Sequence, residues 1–442
     1  MARPGHGFRG LLPALGPFEV CTIAFLCVAS LSSYNGPTAL GVADPAVHVS
    51  IWSIEPFPPL DLAVLSLVAL AALWLVSALT SAARVSTLDA CVGAIVALVG
   101  ILHALALARS EPGLLFQALD LGNVLLFAGG YFIVTRLRLS PHSIGVVMCT
   151  IAALVLLHTA WLVVRYGLPG KTEFFTSNGR EALLATEDSL LVALPLVIAW
   201  GFVVDRVGAC WLVPATALLA GCVGLVELLS LRRGALIFIV LLILFRALYL
   251  PRRRLLIGAG VTAATLAAAF VVGSAASLRS DITYPVRSAL LMTEDESSQL
   301  RRAELRDFTA NLRDFDDVAL GRGLGAVWNS SPDARIDPVA FGSEETSAVR
   351  VGWHVYGLDW LYKLGVLGVA VTLGVAAFAG TLVRSRLAGI ADKRLRSLAR
   401  SLALISPVLL LFLFTNPRVA LFAGIVTGGL SALAVHRPAS AG

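Results

Sequence analysis

Ala90-Cys-Val-Gly-Ala-Ile-Val-Ala-Leu-Val-Gly-Ile-Leu-His-Ala-Leu-Ala-Leu-Ala108 contains no Asp, Glu, Lys or Arg. As an α-helix it is about 28 Å long, close to the roughly 30 Å of a bilayer's hydrocarbon core. A helix satisfies its own main-chain N–H and C=O groups, so it can cross lipid where a loop cannot. The stretch therefore reads as a membrane span. It is one of many.

Comparable apolar runs lie near 17–34, 60–82, 87–108, 114–135, 143–164, 184–204, 210–230, 234–250, 255–277, 357–383, 401–415 and 419–435. The whole chain of 442 residues is 57% hydrophobic and 14% charged, whereas soluble domains are nearer a quarter charged. A single water-soluble globule is excluded. The expected fold is an all-α polytopic membrane protein of about twelve transmembrane helices. The first run resembles the apolar part of a signal peptide, but no convincing cleavage pattern follows it before Asn35-Gly36-Pro37. It reads as a retained span.

The basic residues fix the expected orientation. Arg3, Arg9, Arg84, Arg136, Arg138, Arg206, Arg246 and Arg252 to Arg254 fall on one side, as do Arg384, Arg386, Lys393, Arg394, Arg396, Arg400 and Arg437. By the positive-inside rule that side, with both termini, is cytoplasmic. The net charge of +6 is thus a topology signal rather than a nucleic-acid footprint. The six cysteines lie in or beside apolar runs with no CxxC pair, which supports neither a disulfide scaffold nor a zinc site.

Three regions follow: helices 1–9 with short loops over 1–277, a large loop over 278–353, and helices 10–12 with the cytoplasmic tail over 354–442. The loop carries nine Arg against thirteen Asp or Glu. Within it, Glu294 to Arg313 alternates charge with Leu300, Leu305, Phe308 and Leu312, a spacing that suits an amphipathic helix resting on the membrane face. The stretch 325–350 is rich in Gly, Ser, Pro and Ala and reads as irregular.

Some polar residues are out of place. Arg232 and Arg233 stand at the outer end of the seventh span, where the orientation rule disfavours arginine. They either snorkel to headgroups with Glu227 as partner, or form a cationic site whose guanidinium forks bind phosphate oxygens. His354 opens Trp353-His-Val-Tyr-Gly-Leu-Asp-Trp-Leu-Tyr-Lys-Leu-Gly-Val-Leu-Gly368. It is either a hydrogen-bonded interface residue or a base suited to take a hydroxyl proton near neutral pH. His48, His103, His142 and His158 show no metal-ligand spacing. Asp314-Phe-Asp-Asp317 reads as a solvated acidic loop. Gly321-Arg-Gly-Leu-Gly325 follows no strand, so its glycines read as a tight turn close to another element rather than a nucleotide loop. Asp120 and Asp359 could line a polar cavity within the membrane; Asp120 stands isolated and receives no role.

The stretch from Arg233 to Gly368 resembles the superfamily of O-antigen ligases and Wzy-type O-antigen polymerases, bacterial membrane glycosyltransferases. Leu231-Arg-Arg-Gly-Ala-Leu236 is similar to the family's Ser-Arg-Gly-Ala signature. Arg302-Ala-Glu-Leu305 with Asp317-Val-Ala-Leu-Gly-Arg-Gly-Leu-Gly325 is similar to its Arg-led helix and glycine turn. His354 to Gly368 follows its His-led pattern, with Leu358, Leu361, Gly365 and Gly368 in register. Four positions depart from the pattern: Val355 replaces Asn, Lys363 replaces Glu, Arg306 stands where Trp is frequent, and Arg232 replaces Ser.

The resemblance implies a GT-C-like fold in the bacterial inner membrane, with a partly helical periplasmic loop and a periplasmic active site. It implies transfer of a glycan from undecaprenyl diphosphate to an acceptor hydroxyl, without metal, nucleotide or other cofactor. His354 would be the base, and Arg233 and Arg302 would complete the catalytic set. Arg232, Arg233, Arg279, Arg301 and Arg302 would bind the diphosphate. The expected acceptor is lipid A–core, as in a ligase; a polymerase would use another glycan. A polyprenyl-glycan transporter and a non-catalytic scaffold are the rival classes.

Overall fold

The computed structural model describes residues 85–109, 114–136, 140–166, 186–207, 296–312, 314–329, 331, 349–350, 356–414 and 417–435, together with 214, 216 and 219. Among these the chain is mostly helical. In order they form α1 (Thr87–Leu107), α2 (Leu114–Arg136), α3 (Pro141–Tyr166), α4 (Thr186–Val204), α5 (Glu296–Asn311), α6 (Phe315–Leu320), β1 (Trp328–Asn329), β2 (Val349–Arg350), α7 (Tyr356–Leu387), α8 (Lys393–Leu411) and α9 (Pro417–Val435). Helices therefore occupy the apolar runs expected at 87–108, 114–135, 143–164, 184–204, 357–383, 401–415 and 419–435. Two, Thr87–Leu107 and Gly357–Leu387, are long and apolar enough to cross a membrane. The runs at 17–34, 60–82, 234–250 and 255–277, and nearly all of 210–230, lie outside the described residues.

Local chemistry sets the helix starts. Ser86 and Asp89 form a capping box: the Asp89 N–H donates to Ser86 Oγ at 3.1 Å and the Ser86 N–H to Asp89 Oδ2 at 2.8 Å. Pro141 opens α3, where its missing N–H costs nothing. α8 begins at Lys393, eight residues before the apolar run, because the Asp392 side chain accepts the Arg394 N–H at 2.7 Å.

α2 and α9 are the most closely packed pair. A Cβ on Gly424 would strike Phe127 O, and one on Gly130 would meet Leu421 O at 2.8 Å. Small residues at the contact let these two backbones touch and gain van der Waals contact. α8 covers α4 and α9, and α7 lies against α1.

The bundle has two unlike ends. At one, the Tyr131 hydroxyl of α2 donates to Asp89 of α1 at 2.9 Å and is joined to Ser431 of α9 at 2.9 Å. Arg136 stands 4.0 Å from Asp89 there. Arg400 pairs with Asp205 at 3.5 Å, and Lys393 Nζ donates to the Arg206 carbonyl at 3.3 Å. Arg384 and Arg386 end α7 next to these, so that Arg136, Arg206, Arg384, Arg386, Lys393, Arg394, Arg396 and Arg400, the described members of the set expected on one side, lie at one end of the described bundle. Arg3, Arg9, Arg84, Arg138, Arg246, Arg252 to Arg254 and Arg437 lie outside the described residues. The opposite end carries α5, α6 and the two short strands. At that end Arg109, which follows α1, donates through Nη2 to the Gly321 carbonyl at 2.9 Å.

The expected amphipathic helix forms over Glu296–Asn311. Its inward face carries Ala303, Glu304 and Asp307, while Leu305 is 47% exposed. Polar bonds hold it: Asn311 Nδ2 donates to the Asn329 carbonyl at 2.9 Å, the Asn329 N–H donates to Asn311 Oδ1 at 2.9 Å, and the Ser331 N–H donates to Asp307 Oδ2 at 2.8 Å. Phe308 and Leu312 pack on the buried cluster of Ala326, Trp328, Leu358 and Tyr362. The supposedly irregular stretch 325–350 contains an antiparallel pair, with Trp328 opposite Arg350 and Asn329 opposite Val349. The acidic stretch Asp314-Phe-Asp-Asp317 is solvated, with Asp314 and Asp316 exposed, but from Phe315 onward it is the six-residue helix α6 rather than loop.

Candidate functional site

The opposite end is organised around a break in α7. Gly365 has φ 64° and ψ 179° inside the helix, and Gly321 has φ 75° and ψ 173°. This region of backbone space is essentially restricted to glycine. The two glycines face one another, so that a Cβ on either would collide with the backbone N of the other.

The break leaves carbonyls of α7 without their helical partners. The loop supplies replacements: the Arg322 N–H donates to Tyr362 O at 2.8 Å and the Gly323 N–H to Lys363 O at 3.0 Å. Gly323 presses on Ala106 of α1, and Gly325 presses on the backbone of Gln117 in α2. The expected tight turn close to another element is what the loop forms, touching three helices at once.

Beneath the loop sits a buried charge cluster. Lys363, 1% exposed, places Nζ 2.8 Å from Asp120 Oδ1 and 3.9 Å from Asp359 Oδ1. Asp120 Oδ2 accepts the Gly325 N–H at 2.7 Å. The ammonium lies 5.0 Å from the centre of the Phe414 ring, within cation–π range. Asp120 is therefore not isolated: one carboxylate joins α2, the glycine loop and α7. Removing either partner of such a pair leaves an uncompensated charge, at a cost of about 3–5 kcal/mol.

Arg322 pins the outer layer. Its Nη1 donates to Tyr362 Oη at 2.9 Å and to the Asn311 carbonyl at 3.4 Å, while Nε stands 3.8 Å from Asp317. Tyr362 Oη in turn donates to the Val327 carbonyl at 3.1 Å. One guanidinium thus links α5, α6 and α7. His103 Nδ1 is buried beside the loop with no hydrogen-bond partner among the described residues.

Of the residues singled out in the sequence, Arg302 lies exposed on α5. Arg301 is in the same helix, its side chain outside the description. Arg232, Arg233, Arg279 and His354 lie outside the described residues. The described elements flanking His354 are β2, which ends at Arg350, and α7, which begins at Tyr356. β2 is paired to β1, and β1 is bonded to α5, so the helix bearing Arg302 is joined to the strand leading toward His354. Among the described residues no group of three or more His, Cys, Asp or Glu could hold a metal ion.

Sequence reasoning named Asp120 and Asp359 as candidates for a polar cavity but missed Lys363, the cation that joins them. One signal was present: Asp359 and Lys363 stand four apart in an apolar helix, where a charge is rare unless paired. In comparisons with known proteins, no family model, no curated protein and no solved structure matches the chain.

Proposed function

We propose that this chain is a metal-independent transferase of lipid-linked glycans, of the O-antigen ligase and polymerase type, in the bacterial inner membrane. It has about twelve spans in a GT-C-like arrangement, with both termini cytoplasmic. What supports the reading most is the meeting of Gly321 and Gly365. They belong to two of the three motifs that carry the resemblance, and those motifs form a single packed unit. The gathering of basic residues at the far end supports a periplasmic position for that unit.

In the reaction an acceptor hydroxyl oxygen attacks the anomeric carbon of the donor sugar. The bond from that carbon to the diphosphate oxygen breaks, and undecaprenyl diphosphate leaves with the electron pair. The hydroxyl proton passes to His354, and the configuration inverts. Arg233 and Arg302, with Arg232, Arg279 and Arg301, hold the diphosphate and stabilise the charge growing on it. The preferred acceptor is lipid A–core; a polymerase would extend the lipid-linked glycan instead.

Purified full-length protein, undecaprenyl-diphosphate-linked glycan and lipid A–core test the reading directly. Glycan joined to lipid A–core supports the ligase, and lengthened lipid-linked glycan supports the polymerase. No covalent product with either acceptor, together with donor movement across vesicles, replaces the transferase with a transporter.

A further inference from the structure

α7 combines two features that the glycosyl-transfer reading does not use. Between its break and Arg384 it carries no charged residue over 366–383, about 27 Å of helix against roughly 30 Å of hydrocarbon core. Val366, Leu367, Val371, Leu373 and Phe378 are 40–61% exposed along that length. Val366, Leu373 and Arg384 are spaced by seven and eleven residues, which puts them on one stripe of the helix. The apolar stripe therefore ends in a guanidinium.

That guanidinium has company. Arg386 follows it, and the turn into α8 brings Lys393 and Arg394. Among the described residues none of these four is in an ion pair, and Arg384, Lys393 and Arg394 are exposed. The acidic residue of the turn, Asp392, is engaged in capping α8.

We infer that this corner is a binding site for an anionic phospholipid, its acyl chain along the Leu373 stripe of α7 and its phosphate among Arg384, Arg386, Lys393 and Arg394. The chemistry matches at both levels: an uncharged wall of bilayer length, then forked and point cations at headgroup depth. A soluble phosphate would use the cations and leave the wall unexplained. The inference rests on the membrane placement of α7 and is independent of transferase activity.

The test is lipid selectivity of the full chain in phosphatidylcholine vesicles carrying trace spin-labelled phosphatidylglycerol or phosphatidylcholine. The readout is the motionally restricted fraction in the electron spin resonance spectrum. The wild type should prefer phosphatidylglycerol by about fivefold or more, the attraction of one basic residue to an anionic surface, and salt should reduce that preference. The variant R384Q/R386Q/K393Q/R394Q should bring the preference close to one, whereas replacing all three arginines by lysine should retain most of it. Absence of selectivity in the wild type overturns the proposal even if the glutamine variant fails to fold. So does full selectivity in that variant, or displacement by glycerol phosphate, which would assign the cations to a soluble anion. A protein that restricts neither lipid overturns the membrane placement, and the proposal with it.

Discussion

Lys363 of α7 and Asp120 of α2 lie 243 positions apart and meet at 2.8 Å inside the bundle. The second oxygen of the same carboxylate takes the Gly325 N–H, so the pair fixes a loop as well as two helices. Lys363→Met should leave the carboxylates without their cation and lower stability by about 3–5 kcal/mol. Adding Asp120→Asn should recover part of that loss, since the amide oxygen can still accept the Gly325 N–H. Thermal unfolding in detergent of both single variants and the double variant measures the coupling; strictly additive losses would sever the two residues.

Gly365→Ala and Gly321→Ala should each prevent accumulation of folded protein. Both positions have backbone angles that residues with a Cβ avoid, and each added methyl would strike the opposite backbone. Gly374→Ala supplies the contrast. Nothing lies within 4 Å of its would-be Cβ, and alanine stabilises a helix interior by about 0.5–1 kcal/mol relative to glycine. Size-exclusion profiles of the three variants would separate these outcomes.

Tyr131→Phe removes a hydroxyl that joins Asp89 and Ser431 at the basic end. Leaving those buried groups short of a partner costs about 1–3 kcal/mol. The loss should appear in unfolding temperature while any transfer activity measured below it stays intact, because the proposed site is assigned to the other end of the bundle.

His354→Ala should reduce glycan transfer by about a hundred- to ten-thousand-fold, with donor binding nearly unchanged. Arg233→Lys should weaken donor binding and turnover together, because a bidentate fork becomes a point charge. Activity is expected to persist in chelator. Single-turnover kinetics with labelled donor distinguish the two effects, and wild-type turnover in the histidine variant would remove the proposed base.

The apolar runs made the described helices legible, because each run is long and nearly free of charge whatever the helix packs against. The helix at Glu296–Asn311 was legible from its period, but its seating was not. Hydrophobic spacing put Leu305 on one face with Phe308 and Leu312, whereas bonds from Asp307 and Asn311 to Asn329 and Ser331 help decide which face is buried. The glycines at 321 to 325 announced a turn, yet nothing in their spacing identified the helix they would enter. Lys363 read as a departure from a family pattern; its meaning depends on Asp120, and pairing at that sequence distance leaves no local trace.

The carbonyls of Tyr362 and Lys363 find their donors in a loop that precedes them by about forty residues in the chain. Neither partner can reach its final shape alone: α7 without the loop would keep two bare acceptors at its break, and the loop without α7 has nowhere to place the Arg322 and Gly323 N–H groups. Folding therefore demands that this loop dock as the later helices settle, so that the loop and the C-terminal helices mature as a single cooperative unit.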